Sequence, residues 1–253
     1  MNDNAFRITS YNIHKGFNTG NRRFLLDQIR HAIRVVDADM VFLQEVVGNN
    51  LHYHADEHPS ATSQFEYLAD EIWPHFAYGK NAIYEHGHHG NAILSKHPFV
   101  DWHNTDITCS RFSQRGILLG KTEAGLYSLC THFGLLAFER ERQLQALLKL
   151  TSEHIPADAP LVLAGDFNDW RLRVHRRLKG AGFREVISDL RGKPARTYPA
   201  ALPVLPMDRI YYRNLELVDA EVLSGAPWHR LSDHCALSAV FAPLSGRQAQ
   251  KMN

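Results

Sequence analysis

The sequence predicts a single α/β domain, and three features carry that prediction. Two short apolar runs, residues 40–43 and 161–164, have the length and composition of strands buried on both faces. Around them lie segments whose apolar residues recur at helical spacing, over 24–36 and 138–154. The chain has 253 residues, a size at which one α/β or layered β domain can bury a large core, and its 44% hydrophobic and 22% charged residues are ordinary for a soluble protein. No linker composition and no repeat at a fixed period divides it. The expectation is one domain over residues 1–243 followed by a flexible tail over 244–253.

In order, residues 6–12 alternate as a first strand, with Asn12 at its end before Gly16. Leu25, Leu26, Ile29, Ile33 and Val36 then share one helical face suited to covering a sheet. Residues 40–45 read as a strand that closes on Glu45, and a carboxylate ending an apolar run is expensive to bury unless paired or bound to a metal. Residues 48–63 are polar and histidine-rich and read as a surface loop, and 65–73 as a short helix stopped by Pro74. Residues 90–95 form a short strand with Asn91 at its start. Residues 116–122 and 126–132 form a strand pair that ends in His132. After the long helix comes the strand to Asp166. In extended geometry Asp166 and Asn168, two apart, point to the same side, so a carboxylate and a carboxamide emerge together at the end of a rigid strand. An Asx-type turn uses the same residue types, so partners elsewhere must decide between the two readings. Residues 170–179 hold five Arg or Lys, the main basic cluster, and read as the solvated face of an amphipathic helix. Past a proline-bearing loop, 191–206, Asp208 stands near the start of a strand, and Asp233 and His234 precede the last one.

With 28 Lys and Arg against 27 Asp and Glu, the formal net charge of +1 gives no global field toward nucleic acid or anionic membranes. Attraction for anions must be local. Arg111, Arg115, Arg171, Arg173, Arg176 and Arg196 are the candidates for a basic groove, with Arg115 and Arg171 taken as substrate contacts. Cys109, Cys130 and Cys235 are an odd number without close spacing and read as buried thiols in a reducing compartment. The N-terminus lacks a signal-peptide core and no run reaches the length of a membrane span, so a cytoplasmic protein without integral membrane association is expected. His86, His88 and His89 lack a Cys or carboxylate at ligand spacing and read as solvated loop residues.

Asn12, Glu45, His132, Asp166, Asn168, Asp208, Asp233 and His234 thus all fall at or near the ends of predicted strands. Their inventory suits metal-assisted phosphoester hydrolysis: a hard oxygen ligand, amides for phosphate oxygens, an Asp for water, and His with Asp partners. The motifs Tyr-Asn12, Leu-Gln-Glu45, Gly-Asn-Ala-Ile-Leu-Ser95, Thr-His132, Gly-Asp166-Phe-Asn168, Asp208-Arg-Ile and Ser-Asp233-His234 span nearly the whole chain. In that order they resemble the endonuclease/exonuclease/phosphatase superfamily, which includes DNase I, exonuclease III and the neutral sphingomyelinases. The resemblance implies a DNase I-like four-layer α/β sandwich, two packed mixed β-sheets flanked by helices, with the site at one end. It implies Glu45 as the principal Mg²⁺ ligand, with Asp233 completing the site and Mn²⁺ as a substitute. It implies phosphate held by Asn12 and Asn168, water oriented or deprotonated by Asp166, and His234 held by Asp208 for proton transfer or charge stabilisation. His132 would contact phosphate or assist the leaving group.

Two departures bear on substrate. Exonuclease III-like enzymes carry Asp where this chain has His14 and Tyr where it has His132, and DNase I has Glu where this chain places Asn91, here a candidate substrate contact. The pattern is more similar to the sphingomyelinase-like and unassigned bacterial branches. The expectation is therefore a Mg²⁺-dependent monomeric hydrolase of a small-molecule or lipid-headgroup phosphoester, with nuclease action on DNA or RNA as the alternative. A catalytically dead binding protein is disfavoured, because such descendants lose the metal ligand or the Asp-His pair and this chain keeps both.

Overall fold

A strand that is apolar on both sides needs cover on both sides, and the central strands show how two different covers are used. The computed structural model describes residues 5–20, 22–50, 63–84, 87–110 and 113–244. In β2 (Met40–Asn50), Met40 and Phe42 enter one core while Val41 and Leu43 enter another. In β8 (Leu161–Asp166), Val162 and Ala164 enter the first of these and Leu161 and Leu163 a third. The shared core lies between two sheets, and each outer core lies between a sheet and helices: α1 (Leu26–Val36) and α2 (Gln64–Ala69) on one side, α3 (Ala137–His154) and α4 (Arg173–Gly180) on the other. Helix, sheet, sheet and helix make four layers, as expected from the sequence.

The remaining strands are β1 (Phe6–Asn12), β3 (His75–Tyr84), β4 (Gly87–Ser95), β5 (Phe99–Asp106), β6 (Gly116–Thr122), β7 (Tyr127–His132), β9 (Arg184–Glu185), β10 (Asp208–Arg213), β11 (Leu215–Leu223) and β12 (Ala236–Pro243). One sheet runs β11-β12-β1-β2-β4-β3 and the other β5-β6-β7-β8-β10-β9. Each contains one parallel pair, β1 with β2 and β7 with β8, and is otherwise antiparallel. The parallel pairs are strand-helix-strand units crossed by α1 and by α3, which is why these sheets are mixed. Such units present the C-terminal ends of their strands to one pole, and Asn12, His132 and Asp166 are the last residues of β1, β7 and β8. Gly165 makes the closest approach there: at φ +154° an added Cβ would sit 1.9 Å from the Thr131 carbonyl oxygen.

Several expectations are corrected. The strand at Glu45 does not close there but passes through a bulge and continues to Asn50, shortening the expected loop, whose residues 51–62 lie outside the described ones. His88 and His89 are not loop residues; they pair within β4 against β2 and β3, while His86 lies outside the described residues, as do Arg111 and most of the tail. Strands β3, β5 and β11, unread in the sequence, are edge strands, where one side needs no apolar residues. Among the described residues no helix is long and apolar enough to cross a membrane.

Candidate active site

Strand register assembles the centre of the site. His132 lies opposite Asp166, and Asp166 opposite Asp208, across the neighbouring strands β7, β8 and β10. All three are buried in the row formed where these strands end or begin. The turn before β12 brings His234 over this row, with its Nδ1 2.8 Å from Asp208 Oδ2 and its Nε2 3.8 Å from Asp166 Oδ2. His132 Nε2 lies 3.4 Å from the same Asp166 oxygen. Asp166 Oδ1 is otherwise engaged, accepting the Asn168 backbone N–H at 2.9 Å in an Asx turn. The segment forms the Asx turn, and that turn leaves Oδ2 facing the histidines.

The other sheet contributes Asn12 and Glu45. The His14 backbone N–H donates to Asn12 Oδ1 at 3.1 Å, which fixes the amide so that Nδ2 faces Asp166 Oδ2 at 3.2 Å and Glu45 Oε1 at 3.5 Å. Glu45 stands at the β2 bulge with φ 56°, a left-handed conformation that costs a non-glycine residue about 1–3 kcal/mol. His14, Lys15 and Asn168 are left-handed as well, so strained backbone gathers at this pole. The Ser232 hydroxyl donates to the Asn12 carbonyl at 2.7 Å and ties the first strand to the Asp233-His234 turn.

The two histidines are driven to opposite charge states. Burial opposes the charge on His234, but the Asp208 and Asp166 carboxylates outweigh it and push the imidazole up to about 10. His132 is held well below its ordinary value by burial and then by Arg115 and His234. Asn168 Nδ2 donates to the Phe133 carbonyl at 2.9 Å and lies 3.2 Å from His132 Nε2, an arrangement that suits a neutral ring accepting at that nitrogen. Burial, partly offset by His234, raises Asp166 to about 6. One imidazolium, one neutral imidazole and a carboxylate of raised basicity thus share a few ångströms.

The buried Asp166, Asp208 and His234 cluster could hold a metal ion, for which His234 would first have to give up a ring proton. Asp208 Oδ1 is buried with no hydrogen-bond partner among the described residues, and Asp166, Asp208 and His234 offer ligand atoms within 4.8 Å of one another. This tight cluster differs from the pair expected from the sequence. Glu45 is half-buried beside Asn12, whereas Asp233 faces His14, with Oδ1 3.6 Å from its Nδ1. Two further expectations change. Asn91 is buried, and its Nδ2 donates to the Gly116 and Cys130 carbonyls at 3.1 and 3.5 Å, so it ties the two sheets together instead of reaching a ligand. Arg171 is exposed and lines a cavity beside Trp170 that none of the buried row's residues lines. Arg115 stays close: its Nε donates to the Phe133 carbonyl at 3.4 Å, within electrostatic reach of Glu45 and Asp166.

Some contributors were not singled out in the sequence. The Thr197 hydroxyl accepts the backbone N–H groups of Met207 and Asp208, and the Tyr198 ring packs on His234 with centroids 4.9 Å apart. The proline-bearing loop therefore positions the Asp208-His234 pair. Asp169, next to Asn168, forms a buried ion pair with Arg209 and receives the N–H groups of Arg173 and His175, anchoring the turn to α4. Lys15 and His89 stand within electrostatic reach of His132. Only the Asp-Asn alternation and the neighbouring Asp169 could have hinted at these in the sequence.

Residues 9–234 match the model of the Endonuclease/Exonuclease/phosphatase family. Over 243 residues the chain is 42% identical to the protein YbhP of Escherichia coli (strain K12), covering 93% of this chain and 95% of that one. Among solved structures it is similar to an endonuclease/exonuclease/phosphatase from Beutenbergia cavernae (TM-score 0.77, 18% identity, 95% of this chain and 72% of that one). It is also similar to D. rerio TDP2 complexed with a single-strand DNA product (TM-score 0.70, 20% identity, 94% and 99% covered). The human Nocturnin catalytic domain aligns as well, at a TM-score of 0.68 and 17% identity over 95% of this chain and 94% of that one.

Proposed function

The chain belongs to the Endonuclease/Exonuclease/phosphatase family, and from that premise we propose that it uses water and a divalent cation to hydrolyse a small-molecule or lipid-headgroup phosphoester. The observation that carries this reading is the convergence of Asp166 Oδ2 with Asn12, His132 and His234, all within 3.8 Å. A water held at Asp166 Oδ2 gives up its proton to that carboxylate as its oxygen forms a bond to phosphorus. The ester P–O bond breaks, and the leaving oxygen takes a proton from solvent water, to which Asp166 returns the proton it received. His234, charged and held through Nδ1 by Asp208, presents an Nε2–H to the phosphoryl oxygens as their negative charge grows. Asn168 and neutral His132 orient the group, and Lys15 and Arg115 add positive potential at the mouth. Glu45 is the leading oxygen ligand for Mg²⁺ or Mn²⁺, with Asp233 or the Asp208 oxygen as partner. A bound cation supplies Lewis-acid neutralisation of phosphate charge.

The alternative substrate is nucleic acid, favoured by the similarity to a TDP2 structure holding a single-strand DNA product. The ranking rests on charge. A net charge of +1 and a basic cluster limited to one turn and helix suit one or two phosphates better than a long backbone. The test compares a generic phosphodiester, water-soluble phospholipid headgroup esters and single- and double-stranded oligonucleotides as substrates in Mg²⁺. It is paired with oligonucleotide binding in EDTA over a salt series. The expected result is turnover of the small and headgroup esters, with weak duplex binding of shallow salt slope, since each neutralised phosphate adds about 0.9 to that slope. Submicromolar duplex binding with a slope of many phosphates, and preferred oligonucleotide cleavage, would make the protein a nuclease.

A further inference from the structure

The four residues that follow the Thr-His motif and its Phe-Gly turn are Leu135, Leu136, Ala137 and Phe138, and every one of them is exposed. Leu135 is 60% exposed, Leu136 54% and Phe138 52%, although Phe138 lies in the first turn of α3, whose apolar pattern would suggest burial. Trp170, two residues after Asn168, is also exposed and is contiguous with them. A cavity of about 250 Å³ is lined by Leu135, Leu136, Arg140, Trp170, Arg171 and Arg173. Leu135, Leu136 and Trp170 thus share one cavity wall with the exposed Phe138 next to them in the chain, and exposed apolar residues gathered in this way form a candidate docking surface.

The charges around it are one-sided. Arg171 and Arg173 project from one edge and Arg142, whose guanidinium lies over the Phe138 ring, from the other, all exposed. Arg140 stacks on the Trp170 ring at 4.8 Å. The acids nearby do not oppose them: Glu139 is buried and turned to the Leu136 backbone N–H, Glu141 is paired with Arg177 at 2.8 Å, and Asp169 is buried against Arg209. Leu, Phe and Trp side chains rimmed by Arg match the two layers of an anionic lipid surface, acyl boundary below and phosphate above. The face is also joined to the site, since the Phe133 carbonyl that receives Asn168 Nδ2 lies two residues before Leu135.

We infer that Leu135, Leu136, Phe138 and Trp170, with the arginines around them, dock the protein on an anionic lipid bilayer and turn its active-site pole toward phospholipid headgroups. The headgroup part rests on the phosphoesterase reading; the docking part stands without it. The test is cosedimentation of the full chain in EDTA with vesicles of phosphatidylcholine mixed with phosphatidylglycerol, and with vesicles of phosphatidylcholine alone. Two double variants are compared with the wild type, Leu135→Asp/Phe138→Asp and Arg142→Glu/Arg173→Glu. Phe138 lies in the first turn of α3, where aspartate is well tolerated, and Leu135 is exposed just before that helix, so the first variant should fold, and circular dichroism checks it. Wild type is expected to bind the mixed vesicles in a salt-sensitive manner and the neutral ones weakly. Each double variant should lose at least about tenfold in partitioning, by loss of apolar burial in one and of charge in the other. The Leu135→Asp/Phe138→Asp protein should hydrolyse a water-soluble phosphodiester at the wild-type rate. The inference is overturned if wild type ignores the mixed vesicles or if the folded variants bind them equally. It is also overturned if the apolar variant abolishes a concentration-dependent dimer or oligonucleotide binding while leaving vesicle binding intact, which would assign the face to a second copy or to nucleic acid. Because binding is read without cation or turnover, loss of docking and loss of hydrolysis are separate results.

Discussion

Changing Asp166 to Asn is expected to lower hydrolysis by about 10²–10⁴-fold, the usual range for loss of a positioned base, while leaving the metal-free protein at least as stable near neutral pH. Changing His234 to Ala should reduce the rate comparably, yet it should also lower the melting temperature. The difference follows from the buried charges. Asp166 is raised by burial to about 6 from 3.8, so the folded state favours its protonated form. That contribution to stability is fully present below pH 3.8 and is lost as pH rises through about 6. Near neutrality the ionised carboxylate is a liability that asparagine removes. His234 reaches about 10 from 6.5, because Asp208 and Asp166 outweigh the burial that opposes its charge. Its contribution is fully present below pH 6.5 and disappears as pH rises through about 10, so the wild type still holds it at neutrality. Alanine leaves Asp208 and Asp166 facing each other without their cation. Melting temperatures in EDTA from pH 4 to 10, with kcat/KM on a soluble phosphodiester in Mg²⁺, check both halves. Wild-type rates in folded Asp166→Asn or His234→Ala protein would contradict the roles assigned here.

Glu45→Gln is the second large effect. Glu45 is held at a bulge with left-handed φ, half-exposed, and pointed at Asn12, although a strand could have kept this residue relaxed. Strain retained at one carboxylate is expected where that carboxylate has work to do. The isosteric amide keeps the volume and removes the charge that would bind a hard cation. Cation catalysis is worth several kcal/mol, so the rate in Mg²⁺ should fall about 10²–10³-fold. Binding of Mn²⁺, followed by electron paramagnetic resonance, should weaken in parallel without turnover. Unchanged Mn²⁺ binding would move the cation to the Asp166, Asp208 and His234 cluster.

The central strands were legible in the sequence because both of their faces are covered. Residues 40–43 and 161–164 carry no polar residue, and β1 matched its expected limits, Phe6–Asn12. The edge strands β3, β5 and β11 were not read, since Gly79, Lys80 and Asn81 in β3 or Asp101, His103 and Asn104 in β5 break the apolar pattern where no second cover is needed. The polar groups that the fold brings together at the candidate site were visible at strand ends, but their states were not. His132 and His234 look alike in a sequence, and only burial with a nearby arginine, or two facing carboxylates, drives one neutral and the other charged. Asn91 misled for the converse reason. A buried amide in a strand can serve a substrate or a neighbouring sheet, and the hydrogen bonds of Asn91 to Gly116 in β6 and Cys130 in β7 of the other sheet decide. The exposed apolar face was hidden because Leu135, Leu136 and Phe138 adjoin a helix whose later leucines are core.

In the proposed reaction this pole directs water to phosphorus with the help of a hard cation. It is tested most directly by letting EDTA-stripped protein, with and without added Mg²⁺, hydrolyse an activated phosphodiester in ¹⁸O-labelled water. Turnover is expected only with the cation, with a single labelled oxygen in the phosphoryl product. Full turnover in EDTA by well-folded protein, or label appearing in the alcohol, would contradict it.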